Sequence, residues 1–181
     1  MAAGGRLDVG PAQTVGGWQV LGGGGSIFLD TAFAGGGVQW PGAYEESDYL
    51  CLDTAATNGV SIGQSISLEA GQTYHLSFAI AGVIVPGPIA RQPAVSVQVG
   101  GATYSFAGLA GAAWQQFGFD FTSVSGSATT LKFTSNASLT DLGITAVMFD
   151  EIAIQAVPEP ATYALMLIGL AALTAAKRRP R

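Results

Sequence analysis

The chain is 181 residues long, with only 10% charged side chains, 26 glycines, one cysteine and one histidine, so it has no internal disulfide and no histidine–cysteine cluster for zinc. All twelve acids lie at or before Glu159, where Arg6, Arg91 and Lys132 leave a charge of −9; Lys177, Arg178, Arg179 and Arg181 add +4, giving the net −5. An acidic, lysine-poor body of this kind argues against nucleic acid or anionic lipid as a partner.

From Met1 to Gly10 no basic segment precedes an apolar run, so an export signal, if the body is exported, is expected upstream of the first residue. Glycine is abundant between short apolar segments of period two, a pattern of strands joined by turns. The stretch Gln39 to Asp48 brings Trp40 and Tyr44 together with Glu45, Glu46 and Asp48, next to Tyr49. Pro41 and Gly42 place this stretch in a surface loop. Two roles stay open for it, a solvated acidic loop or a rim that touches sugar. Aromatic faces stack on pyranose rings, and carboxylates accept hydroxyl hydrogen bonds. Cys51 alternates between Leu50 and Leu52 and reads as a small buried hydrophobe.

Strict alternation begins at Val60. There Ile62, Ile66 and Leu68 share its face, and Ser61, Gly63, Ser65 and Ser67 lie opposite. Next, Tyr74, Leu76 and Phe78 point inward, and Thr73, His75 and Ser77 point outward, which makes His75 a solvated residue. Val95, Val97 and Val99 run into Gly100–Gly101, and Ala102, Tyr104 and Phe106 return. A two-residue Gly-Gly loop suits a type I′ hairpin that pairs Val99 with Ala102 and Val97 with Tyr104. Phe117, Phe119 and Phe121 make a further stripe, with Phe119 expected in the core; Leu131 and Phe133 follow, and a last strand is expected from Ile144 to Ile154. No amphipathic helix precedes Ala161. The pattern predicts an all-β, antiparallel sandwich over residues 1–156, followed by a single hydrophobic C-terminal helix within residues 157–181.

That tail has three parts: Val157, Pro158, Glu159 and Pro160; then sixteen uncharged residues from Ala161 to Ala176; then Lys177, Arg178, Arg179 and Arg181. Sixteen helical residues span about 24 Å, short of a ~30 Å hydrocarbon core. The prolines bar helix on one side and the cations close the other, which favours a membrane-inserted helix whose basic end stays cytoplasmic. In this order the three parts resemble the PEP-CTERM sorting signal of Gram-negative bacteria. The resemblance implies a membrane-embedded exosortase as partner, removal of the tail near the motif, and a mature body at the cell surface or in an exopolysaccharide matrix.

The body resembles a second family. Gly17–Trp18, Tyr49–Asp53, Gly71–Tyr74, His75–Gly82, Ala113–Trp114, Phe119–Thr122, Thr130–Ser135 and Phe149–Ile152 follow the order found in domain-of-unknown-function family 642, which overlaps the choice-of-anchor C proteins. That likeness implies a galactose-binding-like jelly roll, related in fold to carbohydrate-binding modules; taken with the aromatic and acidic residues above, it makes carbohydrate binding the expected activity, with Trp40, Tyr44, Tyr49 and Trp114 as the candidate contact residues. It also implies a structural calcium ion between the first and last strands, with Asp150 as a ligand. Members open with an Asn-Gly-(Asp/Ser)-Phe-Glu strand that is absent here, and Leu7–Val9 is the nearest stand-in. No pair of carboxylates and no Cys51–His75 arrangement marks an enzyme, so the expectation is a non-enzymatic binding module. The alternative is a structural matrix or coat protein without a ligand, in which the four rings are buried rather than exposed and coplanar.

Overall fold

The computed structural model describes residues 6–9, 12–22, 26–30, 42–44, 48–53, 60–84, 95–106, 113–124, 126–135, 144–158, 165–166 and 168–170. Among these, twelve strands follow in chain order: β1 (Arg6–Val9), β2 (Thr14–Val15), β3 (Trp18–Gly22), β4 (Ser26–Asp30), β5 (Asp48–Asp53), β6 (Ser61–Ser67), β7 (Thr73–Ile84), β8 (Val95–Val99), β9 (Ala102–Phe106), β10 (Gln115–Thr122), β11 (Ala128–Ser135) and β12 (Ile144–Ala156). They form two six-stranded antiparallel sheets, the first in the order β1-β4-β5-β12-β7-β10 and the second β2-β3-β6-β11-β8-β9. This is the antiparallel sandwich that the alternation predicts, in the jelly-roll form that the family likeness implies.

Period-two patterning explains the layers. On β7, Leu76, Phe78 and Ile80 are buried toward the second sheet; on β6, β8 and β11, Ile62, Val95, Val97, Val99, Leu131 and Phe133 face back at them. Aromatic rings bridge the two sheets: Phe133 of β11 meets Phe78 at 5.4 Å and Phe149 at 5.0 Å, all edge to face. Burying each such ring contributes about 2–3 kcal/mol. The hairpin from β8 to β9 has the predicted register, Val99 opposite Ala102 and Val97 opposite Tyr104. Gly100 and Gly101 have φ of 59° and 84°, the two positive values that a type I′ turn requires.

Three features differ from the expectations. Phe119 is half-buried rather than part of the sealed interior, because β10 and β9 are edge strands and leave one side of the sandwich open. Its ring packs instead on Tyr104, centroid to centroid at 3.7 Å. The last strand continues to Ala156 and so runs directly into the tail. β3 and β4 flank Gly22–Gly25, where glycine hides the alternation. Leu7–Val9 lie in β1, which pairs with β4 as an edge strand of the first sheet.

Most of the tail lies outside the described residues, including Glu159, Pro160, Lys177, Arg178, Arg179 and Arg181. The described positions 165–166 and 168–170 are helical, and Leu165, Met166, Ile168 and Leu170 are exposed. Among the described residues, no helix is long and apolar enough to cross a membrane.

Candidate functional site

The outer face of the first sheet carries the polar half of the alternation. On β10, Gln116, Gly118 and Asp120 stand opposite Ala79, Ser77 and His75 of β7. On the other side of β7, Asp150, Ala153 and Gln155 of β12 stand opposite the same three residues. Cross-strand neighbours share a face, so three strands together present rows of small and polar side chains away from the core. These rows enclose an open furrow of about 490 Å³, lined by His75, Ser77, Gln116, Gly118, Glu151 and Gln155.

Two local devices shape it. The first is a β-bulge in β12 between Asp150 and Ala153. Glu151 sits there at φ 49°, a left-handed conformation that a non-glycine residue adopts at a cost of about 1–3 kcal/mol. The bulge turns Glu151 toward β10, where its Oε2 accepts a 3.2 Å hydrogen bond from Gln116 Nε2. The second is the imidazole of His75. Its Nδ1 lies 2.5 Å from Asp120 Oδ1, and the two side chains are 49% and 60% exposed. A carboxylate only accepts, so in the neutral ring Nδ1 donates and Nε2 is left as an acceptor. The ring lies across Gly118: a Cβ placed there would stand 2.8 Å from His75 Nε2. Glycine is therefore what allows the ring to lie over the sheet.

The expected contact residues lie at one end of this face. Trp114 immediately precedes β10, and Asp150 immediately precedes Glu151. Trp114 meets Tyr44 at 6.1 Å and 64°, and Tyr49 at 5.9 Å and 83°. Its Nε1 donates to Gly42 O at 2.7 Å. Three of the four predicted rings thus gather in one cluster, packed edge to face on each other rather than as a flat platform. Tyr49 is only 3% exposed, Trp114 is half-buried, and Tyr44 is 37% exposed. Trp40, Glu45 and Glu46 lie outside the described residues. Burial, and secondarily the neighbouring Cys51, pushes the Tyr49 phenol up, and among the described residues its hydroxyl has no hydrogen-bond partner. Cys51 is fully buried, as its alternation predicts.

Asp150 fastens this cluster to the sheet. Its Oδ2 accepts from Tyr44 N and its Oδ1 from Glu151 N, both at 2.8 Å. Each carboxylate oxygen thus accepts one backbone N–H, which holds the Asp150 side chain between the loop and the bulge. Among the described residues, no three acidic, histidine or cysteine side chains converge on a metal position.

The sequence reading missed the furrow. His75 and Asp120 carried a signal, since both occupy outward positions of adjacent stripes. Gln116, Gly118, Glu151 and Gln155 become neighbours only through strand order and the bulge.

Comparisons with known proteins agree on the architecture and on the tail. Residues 156–179 match the PEP-CTERM protein-sorting motif. No curated protein matches the chain in sequence. Among solved structures, the enzymatically active domain of bacteriophage CBA120 tailspike protein 4 superposes with a TM-score of 0.51 at 10% identity, over 82% of this chain and 21% of that one. The CBM22-1 xylan-binding domain from Paenibacillus barcinonensis Xyn10C gives 0.48 at 20% identity, over 87% of this chain and 98% of that one. A family 16 carbohydrate-binding module gives 0.42 at 15%, over 62% and 79%. At these identities the likeness is one of fold. The chain is a two-sheet antiparallel jelly roll whose last strand leads into a PEP-CTERM sorting motif.

Proposed function

We propose that the protein is exported, sorted at the membrane of a Gram-negative cell by an exosortase that recognises residues 157–160, and released to the surface or matrix as a non-enzymatic polysaccharide-binding module. The observation that carries the binding half of this reading is the furrow around Gly118. It is open and extended, and its amide, carboxylate, hydroxyl and imidazole groups exchange hydrogen bonds with sugar hydroxyls. Its acceptors, Glu151 and Asp120 with the Nε2 of His75, suit a neutral, hydroxyl-rich chain. Exposed apolar side chains at Leu165, Met166, Ile168 and Leu170 support insertion of the tail in a membrane before processing.

Single-module affinity is expected to be micromolar to millimolar and nearly independent of salt, because a neutral glycan releases no counterions. The test is affinity electrophoresis or titration calorimetry of the protein against neutral bacterial and plant polysaccharides, with Gln116→Ala/Glu151→Ala as the comparison. A tenfold or greater loss in the double variant is the expected result, with no new reducing ends after incubation. Equal binding by both forms would remove the furrow, and no binding at all would leave a second reading, a structural matrix protein. Burial of Tyr49 and the mutual packing of Trp114 and Tyr44 favour that second reading.

A further inference from the structure

The last strand ends in a latch. Beyond the pairing of Ala156 with Tyr74, Val157 N–H donates to Thr73 O at 2.8 Å. The carbonyl of Val157 accepts from Gln72 Nε2, also at 2.8 Å, and the same Nε2 lies 2.9 Å from Thr73 O. Both backbone polar groups of Val157 are thus occupied. Gln72 itself is fixed: its N donates to Glu69 O at 3.3 Å, and its O accepts from Ser123 N at 3.0 Å. Tyr74 closes the turn by accepting from Glu69 N through its hydroxyl at 2.9 Å, with its ring stacked on Phe121. Pro158, the next residue, is exposed.

A sorting enzyme has to take its substrate as an extended strand with free N–H and C=O groups, and its nucleophile has to approach a carbonyl carbon. Through Ala156 the chain is held as a strand against β7, and at Val157 both groups are taken by Thr73 and Gln72. We infer that the sorting cut falls on the C-terminal side of Pro158, so that the mature body keeps Val157 and Pro158 as its end. Gln72 sets this boundary. The step is an acyl transfer. A nucleophile of the enzyme adds to the carbonyl carbon of Pro158 or of a later residue, the C–N bond breaks, and the downstream fragment leaves as an amine after taking a proton. Water or an amine then resolves the acyl-enzyme. This inference rests on the sorting reading, but it concerns where the chain is cut, not whether.

Two measurements on the full chain test it. In a host that carries an exosortase, mass spectrometry of the surface fraction is expected to give a C-terminus at Pro158 or later. A mature end at Val157, Ala156 or earlier overturns the inference while leaving sorting intact, whereas intact chain ending at Arg181 overturns the sorting reading and this inference with it. Independently of any host, the Val157 amide of the detergent-solubilised chain is expected to be protected from hydrogen exchange, and Gln72→Ala to speed that exchange roughly fivefold, the effect of losing one ordinary hydrogen bond. An unprotected Val157 amide, or an exchange rate unchanged by Gln72→Ala, overturns the latch.

Discussion

The two ends of the outer face of the first sheet use opposite residues for opposite purposes. At the end near Trp114, the aromatic rings that composition marks as ligand contacts are spent on one another, and Tyr49, Cys51 and Met148 beneath them are buried. At the other end, residues that read as ordinary solvated strand positions, His75, Gln116, Asp120 and Gln155, stand open around a glycine floor. An aromatic ring in a loop carries a large apolar area, and the nearest apolar surface competes with any ligand for it. A polar side chain on an outward strand position has no apolar surface to fold onto and stays exposed, even where it pairs with a neighbour, as His75 does with Asp120 and Gln116 with Glu151. Residue type alone therefore does not separate a ring packed on its neighbours from one that is free to meet a ligand.

The largest expected effect contrasts these ends directly. Trp114→Ala removes two ring contacts and the hydrogen bond to Gly42, and should destabilise the fold by about 3 kcal/mol. Gln116→Ala, two residues on, should change stability by no more than about 0.5 kcal/mol. Chemical denaturation of both variants measures this, and equal losses would erase the distinction between a packed end and an open one.

A smaller effect sharpens the open end. In Gly118→Ala the new Cβ would stand 2.8 Å from His75 Nε2, so the ring has to leave its place above the sheet. Because the ring is the exposed end of a movable side chain, the stability cost should stay near 1 kcal/mol, while polysaccharide affinity should drop about tenfold, equivalent to 1.4 kcal/mol. His75→Ala in the same assay separates loss of the ring from obstruction by the methyl group. Its stability change should be below about 0.5 kcal/mol, since an exposed side-chain hydrogen bond such as that of His75 with Asp120 contributes little. Full affinity in Gly118→Ala would show that the ring position is irrelevant to binding.

Legibility followed the physics of the strand. From Val95 to Phe106 the sequence predicts face, register and turn, because a one-residue slip would expose the whole set, and from Val60 to Leu68 it predicts the face. It predicts little at β3 and β4, five-residue strands on either side of a glycine run. The tail was legible for another reason, since its three parts are contiguous. The furrow was not, because β7, β10 and β12 are separated in sequence, and the bulge that turns Glu151 toward Gln116 leaves no mark in a period-two pattern.

The smallest effect concerns the packed end and runs against intuition. Tyr49 buries its hydroxyl without a partner among the described residues, and an unsatisfied buried hydroxyl costs about 1–3 kcal/mol. Tyr49→Phe keeps the ring and its contact with Trp114, so the variant should be neutral or up to about 1 kcal/mol more stable. Burial also pushes the Tyr49 phenol up, which gives the substitution a signature in pH. An unfolded tyrosine ionises near pH ~10 while the folded one keeps its proton. Above that pH the unfolded state binds fewer protons than the native state, so stability falls as pH rises. Thermal melts from pH 8 to 11 should show this decline in the wild type and a shallower one in Tyr49→Phe. Parallel declines would mean that the Tyr49 hydroxyl reaches solvent or a partner, and the contrast between the two ends of the face would narrow to the position of Trp114.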